Sequence, residues 1–231
     1  MSHHRLGPRT FAVPRQKAAK PSSSAGDARA CRTRVFLEKA RRLVKQFQKK
    51  YGKDVQAGAL ESASKRLGEK PLQLLMDSSS KWSSTFVFLE RLCRLKRTMQ
   101  EVAASSGHLF ATGTFLTELE YLTIRDVVGV LRPLVNATNL MQSDGFMGSS
   151  YLPVMHTLKR ELSSEIRVQV SAGGMDWKQT MPLAESNLCE PARRFRQKVR
   201  DELALVERHV EPCRETMALA AALDPRYKHL L

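Results

Sequence analysis

No stretch of this chain approaches the roughly 18 to 20 consecutive apolar residues that a membrane span needs. The opening MSHHRLGPRT also lacks the apolar middle of a secretory signal. A soluble, intracellular protein with no membrane partner is therefore expected. Cysteine is scarce: Cys31, Cys93, Cys189 and Cys213 are widely spaced and form no C-x-x-C pair. That pattern argues against a disulfide framework and against a zinc knuckle, and reduced thiols are the expectation. There is no P-loop, no G-x-G-x-x-G, no G-x-S-x-G and no H-E-x-x-H, so phosphate-cradling, hydrolase-elbow and zincin chemistries lack their minimal residues. The six histidines are scattered. Only His209 and Cys213 share helical spacing, and that pair falls short of the four ligands a structural metal requires. Most carboxylates fall on the polar sides of helical patterns, as solvated charges do. No catalytic residue, cofactor or metal site is expected.

Negative charge is also in short supply. Lys and Arg number 38 against 23 Asp and Glu, a formal net charge of +15 with a pI near 10.1. Such a balance fits a polyanion partner, nucleic acid first. The basicity is local, because residues 1–50 hold fourteen basic side chains and only Asp27 and Glu38. Within that block residues 1–29 carry Pro8, Pro14, Pro21 and a Ser22-Ser23-Ser24 run with almost no apolar periodicity. They cannot bury enough surface to offset the entropy of ordering, so a disordered basic arm over 1–29 and one helical domain over 30–231 are expected.

From Val35 the pattern changes. Phe36, Ala40, Leu43, Val44, Phe47 and Tyr51 recur at steps of three and four, with Arg41, Arg42, Lys45 and Lys49 between them. This spacing predicts a basic amphipathic helix from Val35 to Tyr51. Phe88, Leu92, Leu95, Met99 and Val102 predict a second helix. Thr117-x-x-Glu120 reads as a capping box opening a third, lined by Tyr121, Ile124, Val128, Leu131, Val135 and Thr138 and kinked at Pro133. A Ser149/Ser150 cap starts a fourth through Tyr151, Met155, Leu158, Leu162 and Ile166, closed by Gly173-Gly174. A fifth follows Leu188, Ala192, Phe195, Val199, Leu203, Val206 and Val210, and a short one runs from Met217 to Leu223, stopped by Asp224-Pro225. The alternating signature of strands is confined to Leu72-Gln73-Leu74-Leu75-Met76. The fold class is mainly α, a helical array with at most one short strand.

Several motifs carry a family resemblance. Asp77-Ser-Ser-Ser-Lys81-Trp82-Ser83-Ser84-Thr85 followed by Leu89-Glu90-Arg91-Leu92 resembles the D-x-x-T-R-W-N-S-T…L-x-R-L stretch of hAT-superfamily transposases and their relatives with BED-type zinc fingers. Leu116-Thr-Glu-Leu-Glu120, Leu131-Arg-Pro133-Leu…Ala137-Thr138, Tyr151-Leu-Pro153 and Ala221-Ala222-Leu223-Asp224-Pro225-Arg226-Tyr227-Lys228 are similar to further motifs of that family in the same order. The resemblance covers about residues 35–228. It implies the end of a ribonuclease-H-like core, represented by the Leu72 strand, followed by the helical insertion domain.

In the family two catalytic aspartates precede the matched region, and a catalytic glutamate and a dimerisation segment follow it. A non-enzyme that forms no stable homodimer is therefore the expectation. The BED finger's Cys/His ligands are not found here. Lys81 stands where the family has Arg and Ser83 where it has Asn, and Lys keeps the charge but not the bidentate fork.

The resemblance also implies a nuclear location and binding to nucleic acid, chiefly duplex DNA with weak sequence preference, with protein partners as a further possibility. The candidate contacts are Arg29, Arg32, Arg34, Arg41, Arg42, Lys45, Lys81 and Trp82. The basic helix itself leaves three uses open: phosphate neutralisation, a calmodulin-type or membrane-surface helix, or a solvated face. For Trp82 the family's position suggests stacking on an unpaired base. With no catalytic acids to exploit a flipped base, a packed core or hinge tryptophan is the expectation. The alternatives to DNA binding are a protein-interaction scaffold and a subunit or fragment of a larger BED-finger hAT transposase-like protein.

Overall fold

A computed structural model describes residues 27–78, 81–106, 113–169 and 180–227. In it the chain folds as α1 (Asp27–Arg66), α2 (Trp82–Arg94), α3 (Lys96–Ser106), α4 (Glu118–Met141), α5 (Gly148–Ser163), β1 (Ile166–Gln169), β2 (Thr180–Leu183), α6 (Glu190–Val210) and α7 (Arg214–Leu223). Short 3-10 turns lie at Glu185–Asn187 and Glu211–Cys213. The protein is mainly helical. Among the described residues no helix is long and apolar enough to cross a membrane. The expected arm falls largely on residues 1–26, outside the described residues, and α1 already includes residues 27–29.

The first helix is longer than its apolar stripe predicted, 40 residues or about 60 Å. Gly52 and Gly58 obscure the pattern after Tyr51, but Leu60 and Ala63 return to the core and hold the chain helical to Arg66. Its end is a Schellman motif. Gly68 takes φ +66°, its N–H donates to the Lys65 carbonyl at 3.1 Å, and the Glu69 N–H donates to the Ser64 carbonyl at 2.8 Å.

Gly58 sits mid-helix with open space where a Cβ would project, whereas a Cβ on Gly129 of α4 would lie 3.0 Å from Ile166 Cδ1 and 3.3 Å from the Arg167 carbonyl. Gly58→Ala should therefore stabilise the protein by about 0.5 to 1 kcal/mol. Gly129→Ala should forfeit the same helical gain against the hairpin it crowds. Parallel thermal melts of the two variants check this contrast.

Helix α4 is the spine of the molecule. Its capping box forms as predicted, with the Glu120 N–H donating to Thr117 Oγ1 at 3.3 Å and the Thr117 N–H donating to Glu120 Oε2 at 2.7 Å. The first half of α4 closes a core with Phe36, Leu43, Val44 and Phe47 of α1, Phe88, Leu89 and Leu92 of α2, and Met99 of α3. Its second half meets Met155, Leu158 and Leu162 of α5, Ile166 and Val168 of β1, and Leu183. Leu134 and Phe195 pack against both cores. Pro133 lies inside α4, which runs on to Met141.

Four expectations are corrected. Leu72–Met76 is extended but is no strand: Leu72, Leu74 and Met76 pack on the first core, and among the described residues no neighbouring strand offers the backbone a ladder. The sheet is instead the antiparallel hairpin of β1 and β2, with Ile166 opposite Leu183. Helix α5 ends at Ser163 rather than continuing through Ile166, because alternating Ile166 and Val168 face α4 from an extended backbone. Gly173-Gly174 lies outside the described residues. The single helix predicted across Phe88–Val102 is divided at Leu95, whose φ of −87° and ψ of 4° close α2 before α3 begins.

The fourth correction concerns Ser149 and Ser150, which do not cap α5. Met147 is its N-cap, without a side-chain bond. Ser149 Oγ donates to Asp224 Oδ2 at 2.7 Å, and Ser150 Oγ accepts from the Tyr227 hydroxyl at 3.0 Å. The Asp224-Pro225-Arg226-Tyr227 turn is thereby docked on the start of α5, with Asp224 also accepting from the Arg226 N–H at 3.0 Å.

Candidate nucleic-acid interface

Among the described residues, the predicted nucleic-acid contacts lie around the junction of α1 with the segment that leads into α2. Asp77 stands at the end of the extended segment with its side chain only 3% exposed. A buried carboxylate must be paired to be tolerated. Arg41 Nε donates to its Oδ1 at 3.0 Å and Arg41 Nη2 to its Oδ2 at 2.5 Å, a fork-on-carboxylate geometry, and Thr85 Oγ1 adds a bond at 3.0 Å. Backbone and side-chain bonds connect Ser78 to the start of α2. Ser84 Oγ accepts from the Ser78 N–H at 2.8 Å and lies 2.6 Å from the Lys81 carbonyl, and the Lys81 N–H donates to the Ser78 carbonyl at 3.2 Å.

Lys81 and Trp82 ride on that turn. Lys81 is the N-cap of α2, exposed and without a side-chain capping bond. Local preference would put Ser, Thr, Asp or Asn there, and a cation at the positive end of a helix is unfavourable. A local rule broken without a structural gain is expected where function rather than folding selects the residue. Trp82 opens the helix with 47% of its surface exposed, which corrects the expectation of a packed tryptophan. The apolar side of α2 is filled by Phe86, Phe88, Leu89 and Leu92, and the first turn of the helix lies beyond the edge of that core.

The predicted basic contacts divide into three kinds. Arg42 and Lys45 are exposed on α1, and Lys45 lies one turn beyond Arg41 on the same side of the helix, the side that holds Asp77. Arg41 is spent on Asp77 and stays one-third exposed, so it is a structural cation rather than a free one. Arg29, Arg32 and Arg34 lie in the opening turns of α1, and their side chains are outside the described residues.

Several charges elsewhere are paired. Glu120 binds Lys39 at 2.7 Å, Glu90 lies between Arg94 and Arg132, and the buried Asp126 binds Arg125 and accepts from the Cys189 N–H at the start of α6. Sequence reading missed Asp77 and Asp126 as organising residues. Asp77 was visible as the first residue of a motif, but its partner lies 36 positions away. Cys93, Cys189 and Cys213 are free thiols, and burial next to Glu90 pushes the Cys93 thiol up to about 12, so it is unreactive at neutral pH. Among the described residues no group of three or more His, Cys, Asp or Glu side chains could hold a metal. A cleft of about 250 Å³ between α5 and the end of α6, lined by Tyr151, Met155, His156 and Val210, has its rim charges Lys159 and Glu207 paired at 2.8 Å.

These pairings set the acid response. Asp77 is held below the usual carboxylate range by the hydrogen bonds from Arg41 and Thr85, which outweigh burial. Burial also opposes the charge on Glu120, but Lys39 and the Thr117 bonds win and keep its pKa low. Groups whose folded pKa is depressed contribute stability above their unfolded values, about 3.9 for Asp and 4.3 for Glu, and lose it as pH falls through the folded ones. The melting temperature should therefore hold from neutral pH to about 5 and fall below about 4. Asp77→Asn and Glu120→Gln should each flatten that fall, as melts across the pH series would show.

The fold and the site define a mainly α protein that presents an aromatic ring beside exposed cations. No family model, no curated protein and no solved structure matches the chain.

Proposed function

We propose that this chain is a catalytically inactive, hAT-transposase-derived nuclear protein that binds nucleic acid without strong sequence preference. The observation that carries the reading is the exposed Trp82 next to Lys81, close to the side of α1 where Arg41 holds Asp77 and the exposed Lys45 follows one turn on. Cations neutralise phosphates irrespective of sequence, and an exposed indole face can stack on any unpaired base. The net charge of +15 supplies the long-range attraction. The family resemblance supplies the origin and the nuclear location. A lack of catalysis is supported by the commitment of Asp77, Glu90, Glu120, Asp126 and Asp224 to cationic partners, whereas two-metal phosphoryl chemistry needs carboxylates that converge.

Titration of labelled duplex and single-stranded oligonucleotides over a salt series tests the reading. The logarithm of affinity should fall linearly with the logarithm of salt, by about 0.9 per phosphate contact on duplex and about 0.7 on single strands. Replacing Arg42, Lys45 and Lys81 together by Ala should flatten the slope by the share of three contacts. A slope identical in the triple variant would move binding elsewhere, and absence of binding at low salt would end the proposal.

A protein-interaction scaffold is the second reading. It draws support from α7, where Leu219 and Leu223 stand 62% and 75% exposed. That reading predicts no salt-dependent oligonucleotide binding.

A further inference from the structure

The geometry points to Asp77 as a positioning residue for Trp82, the group that fastens the stacking ring to the cationic side of α1 so that ring and phosphate contacts engage one strand together. The inference rests on the nucleic-acid reading of this surface. Three observations carry it.

The Asp77 carboxylate is nearly fully buried although it lies in an irregular segment at the molecule's edge, and burial of a charge there has a cost that a hydrophobic residue would avoid. Its two partners come from both sides of the junction, the Arg41 fork from α1 and the Thr85 hydroxyl from the first turn of α2. Finally, Ser84 Oγ of α2 accepts from the Ser78 N–H and donates to the Lys81 carbonyl, which ties the backbone next to the carboxylate to the first turn of the helix.

Lys45 follows Arg41 by one helical turn, which places an exposed cation on the side of α1 that holds Asp77. A ring and a cation fixed to one rigid surface bind as a single bidentate site. On a freely moving turn the same ring would have to be ordered at each binding event, at a cost of about 0.5 to 1.5 kcal/mol per immobilised side chain.

The experiment uses the full chain with Trp177→Phe, so that Trp82 is the sole tryptophan and is excited selectively, and compares Asp77 with Asp77→Ala, Asp77→Asn and the charge-swapped pair Arg41→Asp with Asp77→Arg. Melts verify that each variant folds. Two quantities are read, the fluorescence anisotropy of Trp82 in the free protein and the affinity for a single-stranded oligonucleotide with and without Trp82→Ala.

In the parent background Trp82→Ala should weaken binding by about 5- to 150-fold. In a folded Asp77→Ala protein the anisotropy of Trp82 should fall and most of that loss should already be present, so that adding Trp82→Ala costs little more. Asp77→Asn, which can still accept from Arg41 and Thr85, and the swapped pair should recover both readouts in part.

Unchanged anisotropy in Asp77→Ala, or a full additional loss on adding Trp82→Ala, overturns the inference while leaving nucleic-acid binding intact. If the parent does not bind oligonucleotide at all, the functional reading falls, and the anisotropy by itself decides whether Asp77 fixes the ring.

Discussion

Arg196→Ala should destabilise the protein by about 3 to 5 kcal/mol, as the loss of a buried, hydrogen-bonded cation does. Arg196 belongs to α6, yet its side chain is fully buried and turned toward the end of α5. Its Nε donates to the Leu162 carbonyl at 2.7 Å, and its Nη2 donates to the Ser164 carbonyl. Arg200 adds Nε and Nη2 bonds to the same Leu162 oxygen at 2.9 and 2.6 Å. The last carbonyls of a helix have no partners within it and carry its negative pole, so guanidinium groups there satisfy both needs. Burial and the neighbouring Arg200 lower the Arg196 pKa, and Glu185, 3.4 Å from Nη1, opposes that shift.

Removal of the side chain leaves a cavity and strips the Ser164 carbonyl of its donor. For a chain of this size the loss corresponds to roughly 2 to 4 °C in melting temperature per kcal/mol. Arg196→Met, which keeps the volume without the charge, should lose less. A melt of Arg196→Ala within about 2 °C of the parent would show that Arg200 alone closes α5.

Trp82→Ala should do the reverse, leaving stability within about 0.5 kcal/mol while weakening single-stranded oligonucleotide binding by about 1 to 3 kcal/mol. The half-exposed ring contributes little to either core, and truncation removes a stacking surface without opening a cavity. Trp82→Phe should keep most of the affinity. Thermal melts and oligonucleotide titrations on the same two variants check it. A Trp82→Ala protein that loses 3 kcal/mol or more of stability with its affinity intact would restore the packed tryptophan expected from sequence.

The legible part of this fold is the part that depends on near neighbours. The capping box of α4 is readable because Thr117 and Glu120 are three residues apart and their geometry is fixed by one helical turn. The stop of α7 at Leu223 is readable because Pro225 disfavours helix before it. Apolar spacing places α4 and α6 to within two or three residues of their ends. It merged α2 with α3 because the stripe continues through Leu95 in phase, and it extended α5 into β1 because Ile166 falls at a helical step from Leu162. Periodicity reports which residues are buried; it does not report the backbone that buries them.

The sequence by itself determined the mainly α class, the concentration of positive charge before residue 50 and the motifs around Trp82, since composition and spacing within a few turns suffice for each. Tertiary structure alone decided which charges are free. Arg41 and Arg42 are neighbours in sequence, yet one is committed to Asp77 and the other is exposed, because a step of 100° around α1 separates a contact with the loop from solvent. The same holds for Lys39 with Glu120, 81 positions apart, and for Ser149 with Asp224, 75 apart. Pairings over such separations follow from how whole helices dock. Burial at the edge of a core likewise decided that Trp82 faces outward.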